Sequence, residues 1–156
     1  MSQIPGTLMR VNGVGVLIRG EAGMGKSDTA LMLLRAGHQL VADDAVMVIR
    51  CGDRLIGRAP DAGRGRLCLR GPGIIEAGDH FGTGAVADWS PMDCAIELTR
   101  ARRPASATAD WQTLTIHGIG LAQLALSPER PVAAIIELVA VTAPRPWTVP
   151  EASACD

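Results

Sequence analysis

Residues 13–27 read Gly13-Val14-Gly15-Val16-Leu17-Ile18-Arg19-Gly20-Glu21-Ala22-Gly23-Met24-Gly25-Lys26-Ser27. The first half is a short β-branched run that stops at a glycine, the pattern of a buried strand entering a tight turn. The second half spaces Gly20, Gly23 and Gly25 ahead of Lys26-Ser27. Ala30, Leu31, Leu33 and Leu34 then recur at helical spacing until Gly37 supplies a stop. Strand, glycine loop and helix in that order make a phosphate cradle, because backbone N–H groups converge on phosphate oxygens while glycines permit close approach. Gly20, Glu21, Ala22, Gly23, Met24, Gly25, Lys26 and Ser27 are therefore the candidate nucleotide-binding residues. Lys26 is expected against the β and γ phosphates, and the Ser27 hydroxyl on Mg²⁺. The competing reading, a glycine turn that contains Lys-Ser by chance, loses to the strand before it and the helix after it. The glycine spacing also disfavours a dinucleotide-binding turn.

Outward from the cradle, residues 39–42 read as a second strand that delivers Asp43 and Asp44 to its end, and residues 46–50 as a further strand. An acid at that place either ligates Mg²⁺ or accepts the proton of an attacking hydroxyl. Neighbours on a strand point opposite ways unless the backbone bends, so two adjacent aspartates can divide the work. A solvated turn is the bland alternative. Residues 51–84 carry short apolar runs and many glycines, which predicts strands, turns and one short helix. Residues 95–99 read as a strand and 132–141 as a strand or a helix. Residues 100–110, rich in Ala and Arg around Pro104, are the candidate mobile loop. The tail 143–156, with Pro144, Pro146 and Pro150, is expected to be extended or disordered.

The chain has 156 residues, enough for one domain with its own core, and 15 basic against 16 acidic side chains give a net charge of -1. No global basic field marks it as a nucleic-acid binder. Cys51, Cys68, Cys94 and Cys155 are scattered without metal-ligand spacing and read as reduced, cytosolic thiols, which places the chain in the cytoplasm. Neither secretion nor membrane insertion is expected, since no run approaches about 18 apolar residues. With 47% hydrophobic but only 3% aromatic residues, the core must come from aliphatic side chains, which suits strands buried on both faces of a layered α/β domain. Arg58, Arg70, Arg103 and Arg130 sit beside Gly or Pro and are candidate phosphate contacts, against a default of solvated arginines. His38 and His80 are assigned surface or structural roles, and Trp89, Trp111 and Trp147 packing roles.

These residues, taken together, resemble the catalytic domain of HPr kinase/phosphorylase, the bacterial enzyme that phosphorylates a serine of the phosphocarrier protein HPr. The likeness runs from Gly13-Val14-Gly15-Val16-Leu17-Ile18 and the cradle through Gly37-His38 and Leu40-Val41-Ala42-Asp43-Asp44. It continues in Leu55-Ile56-Gly57-Arg58-Ala59-Pro60, Leu69-Arg70-Gly71-Pro72-Gly73-Ile74-Ile75 and Phe81-Gly82-Thr83-Gly84-Ala85-Val86. Pro128-Glu129-Arg130-Pro131 and Ile135-Ile136-Glu137 look like an altered form of a later family segment.

The resemblance implies an α/β P-loop kinase core of the HPr kinase and phosphoenolpyruvate carboxykinase type, a sheet-rich single domain over residues 1–142 followed by the Pro-rich tail 143–156. It implies ATP and Mg²⁺, an HPr-type carrier as partner and a homo-oligomer, hexameric in the family. Asp43 would be the base toward the target serine, and the same acid would serve phosphorolysis in reverse. Lys26 and Ser27 keep phosphate and metal roles, Asp44 would be the second acid near the metal, Arg103 a catalytic phosphate contact, and Arg70 and Arg130 further site candidates. Three departures stand out. Pro5-Gly6 replaces the family's His-Gly, Cys68 falls where the family carries an acid, with Glu76 and Asp79 as candidate replacements, and the resemblance is expected to be to short forms of the family without the N-terminal domain of the longer enzymes. Pro5, Cys68 and the altered Pro128-Glu129-Arg130-Pro131 motivate one alternative, a nucleotide-binding regulatory module with impaired catalysis, and a docking surface that these residues do not reveal motivates another, a kinase with a different acceptor.

Overall fold

A computed structural model describes residues 1–101 and 110–143. The chain opens with β1 (Ser2–Pro5), β2 (Thr7–Val11) and β3 (Val14–Arg19), and the glycine loop leads into α1 (Lys26–Arg35). Next come β4 (Gln39–Ala42), β5 (Ala45–Cys51) and β6 (Arg54–Arg58). A hairpin of β7 (Arg66–Leu69) and β8 (Gly73–Glu76), the short α2 (Ala77–Phe81) and β9 (Ser90–Pro91) follow. The chain then forms β10 (Cys94–Leu98), β11 (Gln112–Ile116), β12 (Ile119–Leu126) and α3 (Val132–Thr142).

One six-stranded sheet runs β11-β12-β10-β3-β2-β4, and a four-stranded sheet runs β1-β5-β6-β9. Within the larger sheet β3, β10 and β12 are parallel, so their C-terminal ends share one edge. This sheet is the middle of three layers. Val14, Val16 and Ile18 of β3 point to a core shared with Leu33, Leu34 and Ile136 of the helices. Leu17 points the other way, into a second core with Leu8, Val46, Leu55 and Met92 between the two sheets. Successive strand residues face opposite sides, so a strand with a core on each face must be apolar throughout, which is why residues 14–18 do not alternate.

Helix α1 buries Thr29, Ala30, Leu33 and Leu34 and stops where the glycine at 37 predicted. Gly37 has φ 93°, a left-handed conformation that favours glycine, and its N–H donates to Leu34 O. The N–H of His38 reaches Leu33 O at 3.0 Å, completing a capped end. The His38 ring is then buried, its Nε2 3.2 Å from Glu137 Oε2 on α3, close enough for an ion pair but without hydrogen-bond alignment. The structural role expected for His38 is thus a tie between two helices.

Residues 132–141 form a helix and not a strand. The buried positions Val132, Ile136, Val139 and Ala140 recur at helical spacing. Strands β11 and β12 were not foreseen, because Thr, Gly and Gln interrupt their apolar positions and they are only half-buried. The expectation of four reduced cysteines needs correction: Cys68 and Cys94 are free, but Cys51 is disulfide-bonded. Cys155, Trp147, Arg103 and most of the expected mobile loop, like the Pro-rich tail, lie outside the described residues. Among the described residues no helix is long and apolar enough to cross a membrane.

Gly15 marks the closest approach of the two sheets. A Cβ there would stand 1.5 Å from Pro91 O, while Gly15 N–H donates to Asp93 Oδ2 and Asp93 N–H to Gly15 O, both at 2.8 Å. Gly15→Ala must push β9 away and should destabilise the fold by about 1–3 kcal/mol or more, read as a lower urea midpoint at unchanged slope.

Candidate active site

The glycine loop meets α1 at Gly25, whose φ of 91° turns the chain into the helix, with Thr29 Oγ1 donating to Gly25 O at 2.8 Å. Lys26 folds back over the loop. Its Nζ donates to Gly20 O at 2.6 Å and to Glu21 O at 3.1 Å, which holds the ammonium where terminal phosphates would lie. The helix N-terminus adds its own partial positive charge.

Asp43 faces this loop. Its carboxylate accepts from the Ser27 hydroxyl at 2.9 and 3.1 Å, from the Thr7 hydroxyl at 2.8 Å and from the Cys68 N–H at 3.0 Å. Three separate segments therefore hold one side chain. Directly after it the backbone bends: Asp44 has φ 69°, Ala45 N–H donates to Asp43 O and Gly6 N–H to Asp44 O. The bend brings both aspartates to one cavity of about 450 Å³, although neighbours on a straight strand would diverge. Ala22, Gly23, Gly25, Lys26 and Ser27 form one wall of that cavity, and Cys68, Leu69 and Arg70 of the hairpin form another.

Ser27, Asp28, Asp43 and Asp44 line the same space, and their hydroxyl and carboxylate oxygens are donors of the hard kind that Mg²⁺ prefers. Among the described residues no three metal-ligating side chains are already converged on one point. Asp28 was missed by the sequence reading. Its signal was an acid in the first turn of the helix that opens on phosphate. Glu76 and Asp79 do not line the cavity, and Glu76 instead pairs with Arg66 across the hairpin at 3.1 Å. The position of Cys68 thus has no neighbouring acid of the hairpin to replace it.

Arg70 is brought to the loop: a Cβ on Gly23 would stand 3.0 Å from its Nη2. Arg58 is turned to Asp61 at 3.6 Å on the surface, and Arg130 is exposed and lines neither cavity described here. Arg100 was not foreseen. Its Nε donates to Glu129 Oε1 at 2.6 Å and its Nη1 lies 3.5 Å from Met24 Sδ of the loop. The Ser127 hydroxyl, and then Arg100, hold the Glu129 carboxyl below the usual carboxylate value. A second cavity of about 270 Å³, lined by Pro5, Arg19, Gly20, Glu21 and Glu97, adjoins the carbonyls that seat Lys26.

Gly23 has φ 88°, and its Cα faces Arg70. Gly23→Ala combines backbone strain with displacement of that guanidinium, so affinity for a nucleoside triphosphate should fall about tenfold, a loss on the 1–3 kcal/mol scale of a strained residue, measured by calorimetry.

Comparison with known proteins agrees with this geometry. HPr kinase/phosphorylase from an Exiguobacterium species is 38% identical over 147 residues, covering 90% of this chain and 47% of that protein. The enzyme of the same name from Clostridium tetani is 36% identical over 148 residues, covering 89% of this chain and 47% of its own length. The chain spans about half the length of these curated relatives. The structure of the Hpr(Ser) kinase/phosphatase from Coxiella burnetii superposes with a TM-score of 0.84 at 28% identity, over 91% of this chain and 90% of that one. The family profile described as the HPr Serine kinase C-terminal domain matches residues 1–146, and the chain belongs to that family.

Proposed function

We propose that the chain is an ATP-dependent protein serine kinase acting on an HPr-type phosphocarrier protein, with phosphorolysis of the phosphoserine as its reverse activity. The observation that carries this reading is the Asp43 carboxylate, fixed by Thr7, Ser27 and Cys68 and open to the cavity that Lys26 enters.

The cradle amides and Lys26 hold the β and γ phosphates of ATP and stabilise charge on the transferring group. Thr7 and the Cys68 N–H fix the direction of Asp43, and its contact with Ser27 is the one that an acceptor hydroxyl can replace. Asp43 then takes the proton as the serine oxygen bonds to the γ phosphorus and the bond to ADP breaks. In reverse, Asp43 returns that proton to the serine oxygen as inorganic phosphate attacks, releasing pyrophosphate. Arg70, beside Gly23, is placed to share the phosphate charge. Ser27 and Asp44 would hold Mg²⁺, with Asp28 at hand, and the ion would supply neutralisation of the phosphate oxygens. We assign Arg103 a phosphate contact and Arg130 a supporting place at the site on the family resemblance alone. A hexamer in the cytoplasm, with no nucleic acid or membrane as partner, completes the proposal.

A second reading is favoured by two specific residues. Pro5 and Cys68 stand where the family carries a histidine and an acid, and a module that binds nucleotide without turnover is what their loss would leave. The two are separated by transfer of labelled γ-phosphate from Mg-ATP to purified HPr-type carrier, comparing the natural chain with Asp43→Ala and Lys26→Ala. The kinase predicts that Asp43→Ala lowers turnover about 10²–10⁴-fold, the usual worth of a general base, with ATP affinity nearly unchanged. Lys26→Ala should reduce both. Binding of ATP without any transfer to the carrier would select the regulatory module or a kinase with a different acceptor.

A further inference from the structure

The core between the two sheets ends in a polar row. Leu17, Ala95 and Leu121 are buried in it on β3, β10 and β12, and two residues further along each strand, on the same face, stand Arg19, Glu97 and Gln123. Arg19 and Glu97 are register partners on neighbouring parallel strands and carry opposite charge. They form no direct ion pair. The Arg19 Nη1 donates to Gln123 Oε1 at 2.8 Å, and Gln123 Nε2 donates to Glu97 Oε2 at 3.3 Å. Gln123 is 7% exposed, so a buried amide spends both of its ends holding a guanidinium on one side and a carboxylate on the other.

Among the described residues Arg19 and Glu97 have no other side-chain partner given by a hydrogen bond or ion pair. Both line the second cavity, where each keeps unused capacity: N–H donors on Arg19 and an acceptor oxygen on Glu97. A fixed donor beside a fixed acceptor complements a group with both a carbonyl and an N–H. That group is the peptide unit. A free phosphate dianion is a poor occupant, because Glu97 and Glu21 face the same space.

The place matters as much as the chemistry. Gly20 and Glu21, whose carbonyls seat Lys26, form one wall of this cavity, so it adjoins the lysine proposed to hold the terminal phosphate. Pro5 forms another wall, and the two residues after it reach the acids: Gly6 N–H donates to Asp44 O, and the Thr7 hydroxyl to Asp43. An acceptor must meet the terminal phosphate roughly in line, from the side away from the nucleoside. We propose that the cavity of Pro5, Arg19 and Glu97 seats the main chain of the acceptor polypeptide beside its phosphorylated hydroxyl, with Gln123 as the positioning residue. The inference rests on the kinase reading and adds to it the place where the polypeptide acceptor is held.

The test is steady-state transfer from Mg-ATP to purified HPr-type carrier by the full chain, with ATP affinity measured separately by calorimetry. Arg19→Met and Glu97→Gln should each raise the KM for the carrier about tenfold, the worth of one charge-assisted hydrogen bond, and leave ATP affinity as it was. Gln123→Leu, which removes the tether alone, should raise the same KM, and Arg19→Lys should do so less than Arg19→Met. Near-natural KM in both Arg19→Met and Glu97→Gln, with the natural chain active, overturns the cavity assignment and leaves the kinase standing. Loss of ATP affinity in step with KM also overturns it, since the cavity would then serve the nucleotide. A natural chain that binds ATP but transfers nothing to the carrier overturns the reading of an HPr-type acceptor and this inference with it.

Discussion

The carboxylate of Asp43 is where the molecule is joined. Thr7 comes from β2, Ser27 from the start of α1 and Cys68 from the hairpin β7-β8, and all three donate to it. Without that acceptor, three donors at the bottom of a cleft would need water or one another. Each hydrogen bond to a charged group is worth about 1.5–3 kcal/mol, more than an average neutral one. The same contacts that join these segments thus fix the Asp43 carboxylate at the cavity it shares with Lys26. The bend after Asp43, with Asp44 left-handed at φ 69°, is local strain kept in place by Gly6 and Ala45, and it brings two neighbouring acids to one cavity.

Why the site lies there follows from packing. A strand buried on both faces can present nothing polar along its length, so β3 offers its first functional groups only at its end, where Arg19 and the glycine loop begin. Because β10 and β12 run parallel to it, their ends contribute at the same edge, Glu97 from one and Gln123, Ser127 and Glu129 from or just after the other. Ligands of open parallel sheets gather at that edge for the same reason. Arg100 and Glu129 form an exposed pair beside Met24, so even the outer side of the phosphate loop is backed by groups from neighbouring strand ends.

Much of this was legible in the sequence where a single local rule decides the outcome. The run 14–18, the glycine loop, the stop at Gly37 and the strand before Asp43 are each set by residues within a few positions of one another. The inter-strand facts were not legible. That Thr7 and Cys68 would share Asp43 depends on partners 36 and 25 residues away, and the Arg19–Gln123 contact spans 104 residues. Strands β11 and β12 failed to announce themselves because the larger sheet's edge needs only half of its residues apolar, and Gln123, the most consequential of the others, reads in sequence as a solvated polar residue.

Pro5 shows how one substitution can act at both cavities. It ends β1 of the smaller sheet, forms a wall of the second cavity, and fixes the chain one residue before Gly6 and two before Thr7, which bind the backbone of Asp44 and the carboxylate of Asp43. Proline has no N–H and a restricted φ, so it adds no donor there but stiffens the segment that runs from the second cavity to the residues that bind Asp43 and Asp44. Here the cation that lines the second cavity with Pro5 is Arg19, presented from the larger sheet and tethered by a buried glutamine, so positive charge in that cavity comes from a parallel strand end and not from the N-terminal strand.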